Sequence, residues 1–213
     1  MNRPAKPTDS ETKDAIVTAS ARLFSERGYA RTKVIDIAKA VGITPPSLYW
    51  HFGSKEEILF EYLRSRLELF DTRMESVLDG IDTPTDRLRA VATAHTSAQI
   101  EFRDQAQAVL SMTHSSTQLA SDLSPEHLEE VRALTRRHID RAREIVRAGV
   151  ASGEFRVPDV TALAFAVLNV CEYTALWFRP EGGTTAATVA AANGEFAVRM
   201  ATGGSDREGS GSP

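Results

Sequence analysis

The residues of this chain best placed to do chemistry lie between Lys33 and Lys55, around the run Val34–Phe52, VIDIAKAVGITPPSLYWHF. Two short helices joined by a tight turn can cross only if their backbones approach closely. That requires a small side chain inside the first helix, met by Ala38, and a residue that tolerates positive φ at the turn, met by Gly42. Apolar anchors fall at matching places: Ile37 and Val41 before the turn, Ile43 in it and Leu48 after it. This is the spacing of a DNA-binding helix-turn-helix, whose second helix enters the major groove with its N-terminal residues at base edges. With Leu48 facing inward, Thr44, Pro45, Ser47, Tyr49 and His51 face outward. Lys33 and Lys55 bracket the segment, where ammonium groups reach phosphates. Tyr49, Trp50 and His51 form a polar-tipped aromatic cluster suited to sugars and phosphates. The helix N-termini would add N–H groups, a ready anion site. The competing reading is an ordinary αα-hairpin with no nucleic-acid role.

Charge favours the DNA reading once it is divided along the chain. The 213 residues carry a formal net charge of -4, which taken whole argues against a nucleic-acid partner. Residues 1–55, however, hold nine Lys+Arg against five Asp+Glu and carry +4, and all five lysines fall there; the remainder carries -8. Such asymmetry marks a basic binding module joined to something else. A single cysteine, Cys171, excludes an internal disulfide framework and a Cys-rich zinc module.

The elements that must hold this segment follow a helical period throughout, with no alternating strands, so the fold expected is all-α with about nine helices. Ser10 or Thr12 caps a first helix to about Arg27, stopped by Gly28. Thr32 caps a second, Lys33–Val41, and Thr44 a third, about Pro45–His51, with Pro45 at the favoured first position. Ser54 caps a long fourth helix, Lys55 to about Leu78, with Glu57 completing a capping box. Further helices are expected from Thr83-Pro84 to about Arg103, Asp104 to Ala120, Ser124-Pro125 to Ser152, Pro158 to Phe178, and Thr184 to Ala201. Residues 1–9 read as a disordered arm, 10–54 as the DNA-binding domain, 55–201 as a second helical domain and 202–213 as a disordered tail. The polar N-terminus shows no secretory signal. The apolar run Val160–Phe178 contains Asn169 and Glu172, which favours a buried helix over a membrane span, so a cytoplasmic protein without a membrane partner is expected.

The run from Ala15 through Leu59 resembles the N-terminal domain of the tetracycline-repressor (TetR) family. The resemblance is carried by Ala19, Leu23, Phe24, Gly28, Thr32, Ile37, Ala38, Val41, Gly42, Leu48, Tyr49, His51, Phe52 and Lys55, and is closest in LYWHFGSKEEIL. It implies a homodimeric, ligand-responsive transcriptional regulator, most often a repressor, with DNA-contacting positions at Lys33, Thr44, Pro46, Ser47, Tyr49, Trp50, His51 and Lys55. Two positions depart from the pattern: Ile35 stands where many members carry arginine, and Pro45-Pro46 stiffens the start of the recognition helix. Residues 80–200 match only in helix number and length and in two phrases, Gly153-Glu154-Phe155 and the Trp177–Gly183 stretch, which look like members responding to acyl-CoA, steroid or aromatic catabolites.

The resemblance also makes the last two helices, about 158–178 and 184–201, a dimer interface built as a four-helix bundle, with a palindromic operator as the DNA partner. Alanines 186, 187, 190, 191 and 192 would allow close approach. The middle helices would enclose a small-molecule effector, for which the candidate residues are His95, Gln99, Phe102, Met112, His114, Asn169, Tyr173 and Trp177. The arginines from Arg132 to Arg147 read as a solvated face with salt bridges, or else as a phosphate site for a CoA-type effector. Neither a nucleophile elbow, a metalloprotease helix, a P-loop nor a dinucleotide fingerprint occurs, so neither an enzyme nor a cofactor or metal is expected. The alternative function is a constitutive or architectural DNA-binding protein without an effector.

Overall fold

The computed structural model describes residues 8–103, 106–107 and 121–203. Among these residues the regular structure is entirely helical: α1 (Asp9–Arg27), α2 (Val34–Val41), α3 (Pro45–His51), α4 (Lys55–Ser76), α5 (Pro84–Glu101), α6 (Pro125–Ser152), α7 (Val160–Glu172), the single turn α8 (Thr174–Trp177) and α9 (Ala186–Thr202). Most of the helix expected over Asp104–Ala120 lies outside the described residues, as do the candidate ligand residues Met112 and His114 and most of the two terminal tails. The chain divides into two compact units, residues 1–67 with 104–133, and residues 68–103 with 134–213.

The first unit closes α1, α2, α3 and the start of α4 over Ile16, Phe24, Ile37, Leu48, Ile58 and Leu63, all essentially inaccessible to solvent. The cap of α1 is Thr8 rather than Ser10 or Thr12. Its hydroxyl accepts the Glu11 N–H at 3.2 Å while Glu11 Oε2 accepts the Thr8 N–H at 2.7 Å, a reciprocal box that neither later residue can form. Thr32 does not cap α2 either. It is buried, and its hydroxyl bonds back to the carbonyls of Gly28 (2.9 Å) and Leu23 (3.2 Å), tying the α1–α2 connection to the end of α1. Lys33 takes the cap position, with Asp36 accepting its N–H at 3.2 Å.

In the second unit α5 packs along α9 and against α7. The close approach of α5 and α9 depends on Gly194, where a Cβ would overlap the Thr93 hydroxyl and crowd the Arg89 carbonyl. Ala190, Ala197 and Ala201 are buried on the same α9 face. Of the small residues expected at a dimer contact, Ala190 is thus used inside the chain, while Ala186, Ala187 and Ala191 are exposed and Ala192 is half-buried. The expected Pro158–Phe178 helix is divided: Asp159 caps α7, and the helix breaks at Tyr173. The hydroxyl of Thr174 bonds to the Val170 carbonyl at 3.0 Å, a backbone bond of the kind that bends helices. Buried Asn193 donates to Thr174 and Thr96, both at 3.0 Å, and so joins α8, α9 and α5. Thr185, not Thr184, caps α9 through the Thr188 N–H. The Val160–Trp177 stretch is the one candidate membrane span among the described residues, and it carries Glu172 and the break, features that a continuous membrane helix does not share.

The Gly153-Glu154-Phe155 phrase is a structural joint. Gly153 ends α6 at φ 80°. The Glu154 carboxylate accepts the Thr85 N–H (3.1 Å) and hydroxyl (2.7 Å) in the first turn of α5, and those bonds hold it below the usual glutamate range. Phe155 is buried against Gly149, where any Cβ would overlap its ring.

Candidate nucleic-acid interface and ligand-binding unit

The turn between α2 and α3 is built as the sequence requires. Gly42 sits in the left-handed region (φ 76°, ψ 27°) and donates to Lys39 O, while Ile43 donates to Ala38 O at 3.0 Å. These two bonds make a Schellman ending that turns the chain toward α3. Thr44 caps α3 by accepting the Ser47 N–H at 3.3 Å. One expectation fails here. Pro45 and Pro46 have no N–H to offer and Ser47 gives its own to Thr44, so the start of α3 is not an anion site of backbone donors.

The helix presents side chains instead. Lys33, Thr44 and Pro46 are exposed and Ser47 half-buried, while Tyr49 and Trp50 expose 52% and 89% of their surface. Ile35, at the position where many family members carry arginine, is 60% exposed. His51 is largely covered, its Nδ1 facing Asp9 at 2.8 Å in an ion-pair contact without hydrogen-bond alignment. Lys55 is engaged within the unit: its ammonium donates to the carbonyls of Tyr29 (2.9 Å) and Thr32 (3.1 Å) and lies 4.1 Å from the Tyr29 ring centre. Burial pushes its pKa below the ordinary lysine range, against the opposing pull of Asp122. The same burial, with Asp122 and Glu56, pushes the Tyr29 phenol up to about 12.

A link absent from the sequence reading joins the first turn of α4 to that of α6. Glu56 Oε1 accepts the Ser124 N–H at 3.0 Å and faces His127 Nδ1 at 2.7 Å, and the His127 ring stacks on Phe60 with centroids 3.8 Å apart. Partial burial raises the Glu56 pKa, but the bonds from Ser124 and His127 outweigh it and leave the carboxyl below its ordinary value. No motif marks a pair separated by 71 positions.

In the second unit, the effector candidates His95 and Gln99 lie together, buried, with His95 Nε2 3.2 Å from the Gln99 amide nitrogen. Phe102 is half-buried at the end of α5. Asn169, Tyr173 and Trp177 lie on exposed surface, so the Asn169–Tyr173 pair that suggested a ligand-orienting face points to solvent. His138, unremarkable in sequence, packs 5.1 Å from His95. Arg141 pairs with Asp71 and Glu75, Arg137 with Asp71, and Arg143 with Asp140, so acids of α4 and α6 engage this part of the arginine series rather than Glu129, Glu130 or Glu144. A cavity of about 640 Å³ is lined by residues including Glu75, Asp79, Asp82, Arg87, Arg141 and Glu144. None of the six described ligand candidates lines it.

Residues 16–62 match the model for bacterial regulatory proteins of the tetR family, and residues 81–201 match the tetracyclin repressor-like C-terminal domain. The chain belongs to the TetR family. It is a transcriptional regulator with a DNA-binding helix-turn-helix and a ligand-binding domain of the family type. Its relatives include the HTH-type transcriptional repressor KstR2 of Rhodococcus jostii (strain RHA1), 33% identical over 196 residues, covering 88% of this chain and 90% of that protein. Among solved structures, the ketosteroid transcriptional regulator KstR2 of Mycobacterium tuberculosis is 26% identical with a TM-score of 0.78, covering 94% of this chain and all of that one. AibR in complex with isovaleryl coenzyme A and operator DNA is 26% identical with a TM-score of 0.76, covering 90% and 98%.

Proposed function

We propose that this TetR-family chain is a cytoplasmic, homodimeric repressor that leaves a palindromic operator when a small hydrophobic or acyl-CoA-like effector binds its second domain. The observation that carries the reading is the near-full-length likeness to AibR, a regulator seen with both an acyl-CoA and operator DNA, beside that to the repressor KstR2. Residues 10–54 serve as the reading head and 55–201 as the effector and dimer domain. Base and backbone contacts fall to Thr44, Pro46, Ser47, Tyr49 and Trp50 with Lys33 on phosphate, because α3 has no free backbone donors at its start. His51 completes this set, and Lys55 acts by holding the Tyr29–Thr32 connection against α4.

Dimerisation uses the apolar side chains left uncovered on α7, α8 and α9: Phe165, Val170, Leu176, Trp177 and Phe196 are each more than a third exposed. A surface of this kind marks a protein interface. Effector binding acts through α4, which contributes Lys55–Leu67 to one unit and Glu68–Ser76 to the other. The test is fluorescence anisotropy on DNA from the region upstream of the chain's own gene, with and without a series of short acyl-CoAs. Sequence-specific binding relieved by a member of the series is expected. Binding that is specific but unmoved by every acyl-CoA would favour a constitutive DNA-binding protein.

A further inference from the structure

We propose that His95, His138 and Glu172 form a binding site for one divalent first-row transition metal ion of the zinc or cobalt type. His95 comes from α5, His138 from α6, and Glu172 is the last residue of α7. One ring nitrogen of each histidine and one carboxylate oxygen lie within 4.8 Å of one another. A tetrahedral ion with bonds of about 2.0–2.1 Å holds its donors about 3.3 Å apart. Small rotamer changes therefore close the triangle and leave a fourth position for water or a ligand atom.

The polar atoms around this point are unsatisfied in a way that a metal would resolve. His95 is 1% exposed, and its Nδ1, the Nδ1 of His138 and the Oε1 of Gln99 are all buried without a hydrogen-bond partner. The Gln99 amide presents nitrogen to His95 Nε2 at 3.2 Å. Turned over, an equivalent placement of its two ends, the amide accepts the Nε2 proton through Oε1. One rotation then gives Gln99 Oε1 a donor and fixes the His95 tautomer with a lone pair on Nδ1. Metal-bound imidazoles are oriented by just such an acceptor on the second nitrogen.

The electrostatics agree. Burial, and then the neighbouring His138, hold His95 well below the ordinary histidine range. Burial lowers His138 to about 4, with Asp71 opposing and Arg141 reinforcing. Two imidazoles and one carboxylate suit zinc, cobalt or nickel rather than calcium or magnesium, which take oxygen ligands. Phe70 packs edge-on against both rings, 5.0 and 6.2 Å away, and limits their exchange with water.

The test uses the metal-stripped full-length chain and does not depend on any operator or organic effector. Cobalt(II) is titrated in while visible d–d absorption is followed, and zinc affinity is measured by competition with a chromophoric chelator. One cobalt per chain with a low-symmetry visible spectrum is expected, displaced by zinc. His138→Gln and Glu172→Gln should each lower zinc affinity at least about tenfold. Circular dichroism checks the fold of both variants, and Glu172→Gln, at a half-buried position, carries the test if His138→Gln does not fold. No stoichiometric uptake by the unaltered chain, or uptake unchanged in the folded variants, overturns the site.

Discussion

Trp50 leaves 89% of its surface in water on a helix only seven residues long, while its neighbour Leu48 is fully buried. The fold gains almost nothing from the indole, so replacing it separates recognition from stability. Trp50→Ala should leave chemical-denaturation stability within about 0.5 kcal/mol while weakening operator binding severalfold in an anisotropy titration. Lys55 is the opposite case. Its ammonium satisfies two carbonyls and covers an aromatic ring, so Lys55→Met should cost about 1–3 kcal/mol in urea unfolding. A Lys55 variant that lost operator affinity with stability intact would return this residue to the phosphate-contacting set. The sequence made Lys55 conspicuous through its place beside the helix-turn-helix, but its partners are carbonyls of Tyr29 and Thr32, and no residue type announces a carbonyl. The anion site imagined at α3 was legible as absent from Pro45-Pro46 alone.

Element ends show where local reading holds and where tertiary structure overrides it. Gly42 and Thr44 act as their types demand, because the Schellman turn and the α3 cap are made by bonds spanning at most five residues. Thr8 and Thr32 escaped because one is chosen by its reciprocal bond with Glu11 and the other is drawn into the core. At the break beside Tyr173 the Thr174 hydroxyl accepts from Asn193, nineteen residues on, a partner that no periodicity foretells. Two predictions belong at this scale. Gly149→Ala drives a methyl into the Phe155 ring and should destabilise the chain by about 1–3 kcal/mol, read as a lowered thermal midpoint. The Glu56 link gives a pH signature. Since its folded pKa is below the ordinary 4.5, its contribution is complete above that value and is lost as pH falls through the folded pKa. Glu56→Gln should therefore be less stable than the parent near pH 6, with the two stabilities converging as pH falls below the ordinary glutamate range.

For the whole molecule, residues 1–55 carry +4 and the remainder -8, so the helix-turn-helix lies in the cationic part of the chain, the sign that attracts phosphate. The fold class was plain from the helical period, and the DNA-binding segment from its spacing. The interior of the second unit was not, because its buried polar groups gather residues far apart in sequence, as His95 and His138 illustrate. Assembly is tested at this scale. Phe196→Glu places a charge on an exposed apolar side chain of α9 and should shift the species seen by light scattering from dimer toward monomer while leaving the helical content unchanged. A parent chain that runs as a monomer would remove the dimer reading.

The bond from Glu154 to the start of α5 has a consequence for how the chain is made. It spans 69 positions, the Asn193–Thr96 bond spans 97, and the Arg89–Glu195 pair spans 106. α5 thus leaves the ribosome early, capped by Thr83, but lacks the Glu154 bonds to its first turn and the packing of α7 and α9 until those segments arrive. At bacterial synthesis rates the interval from α5 to α9 is on the order of ten seconds, during which Leu88, Val91 and Ala92 lack most of the core they share with α7 and α9. The helix-turn-helix, whose contacts are short in sequence, forms ahead of it. A nascent chain of this protein therefore carries a nearly finished DNA-binding head on an unfinished apolar body, and premature termination after the helix-turn-helix but before Ala186 releases that combination into the cell.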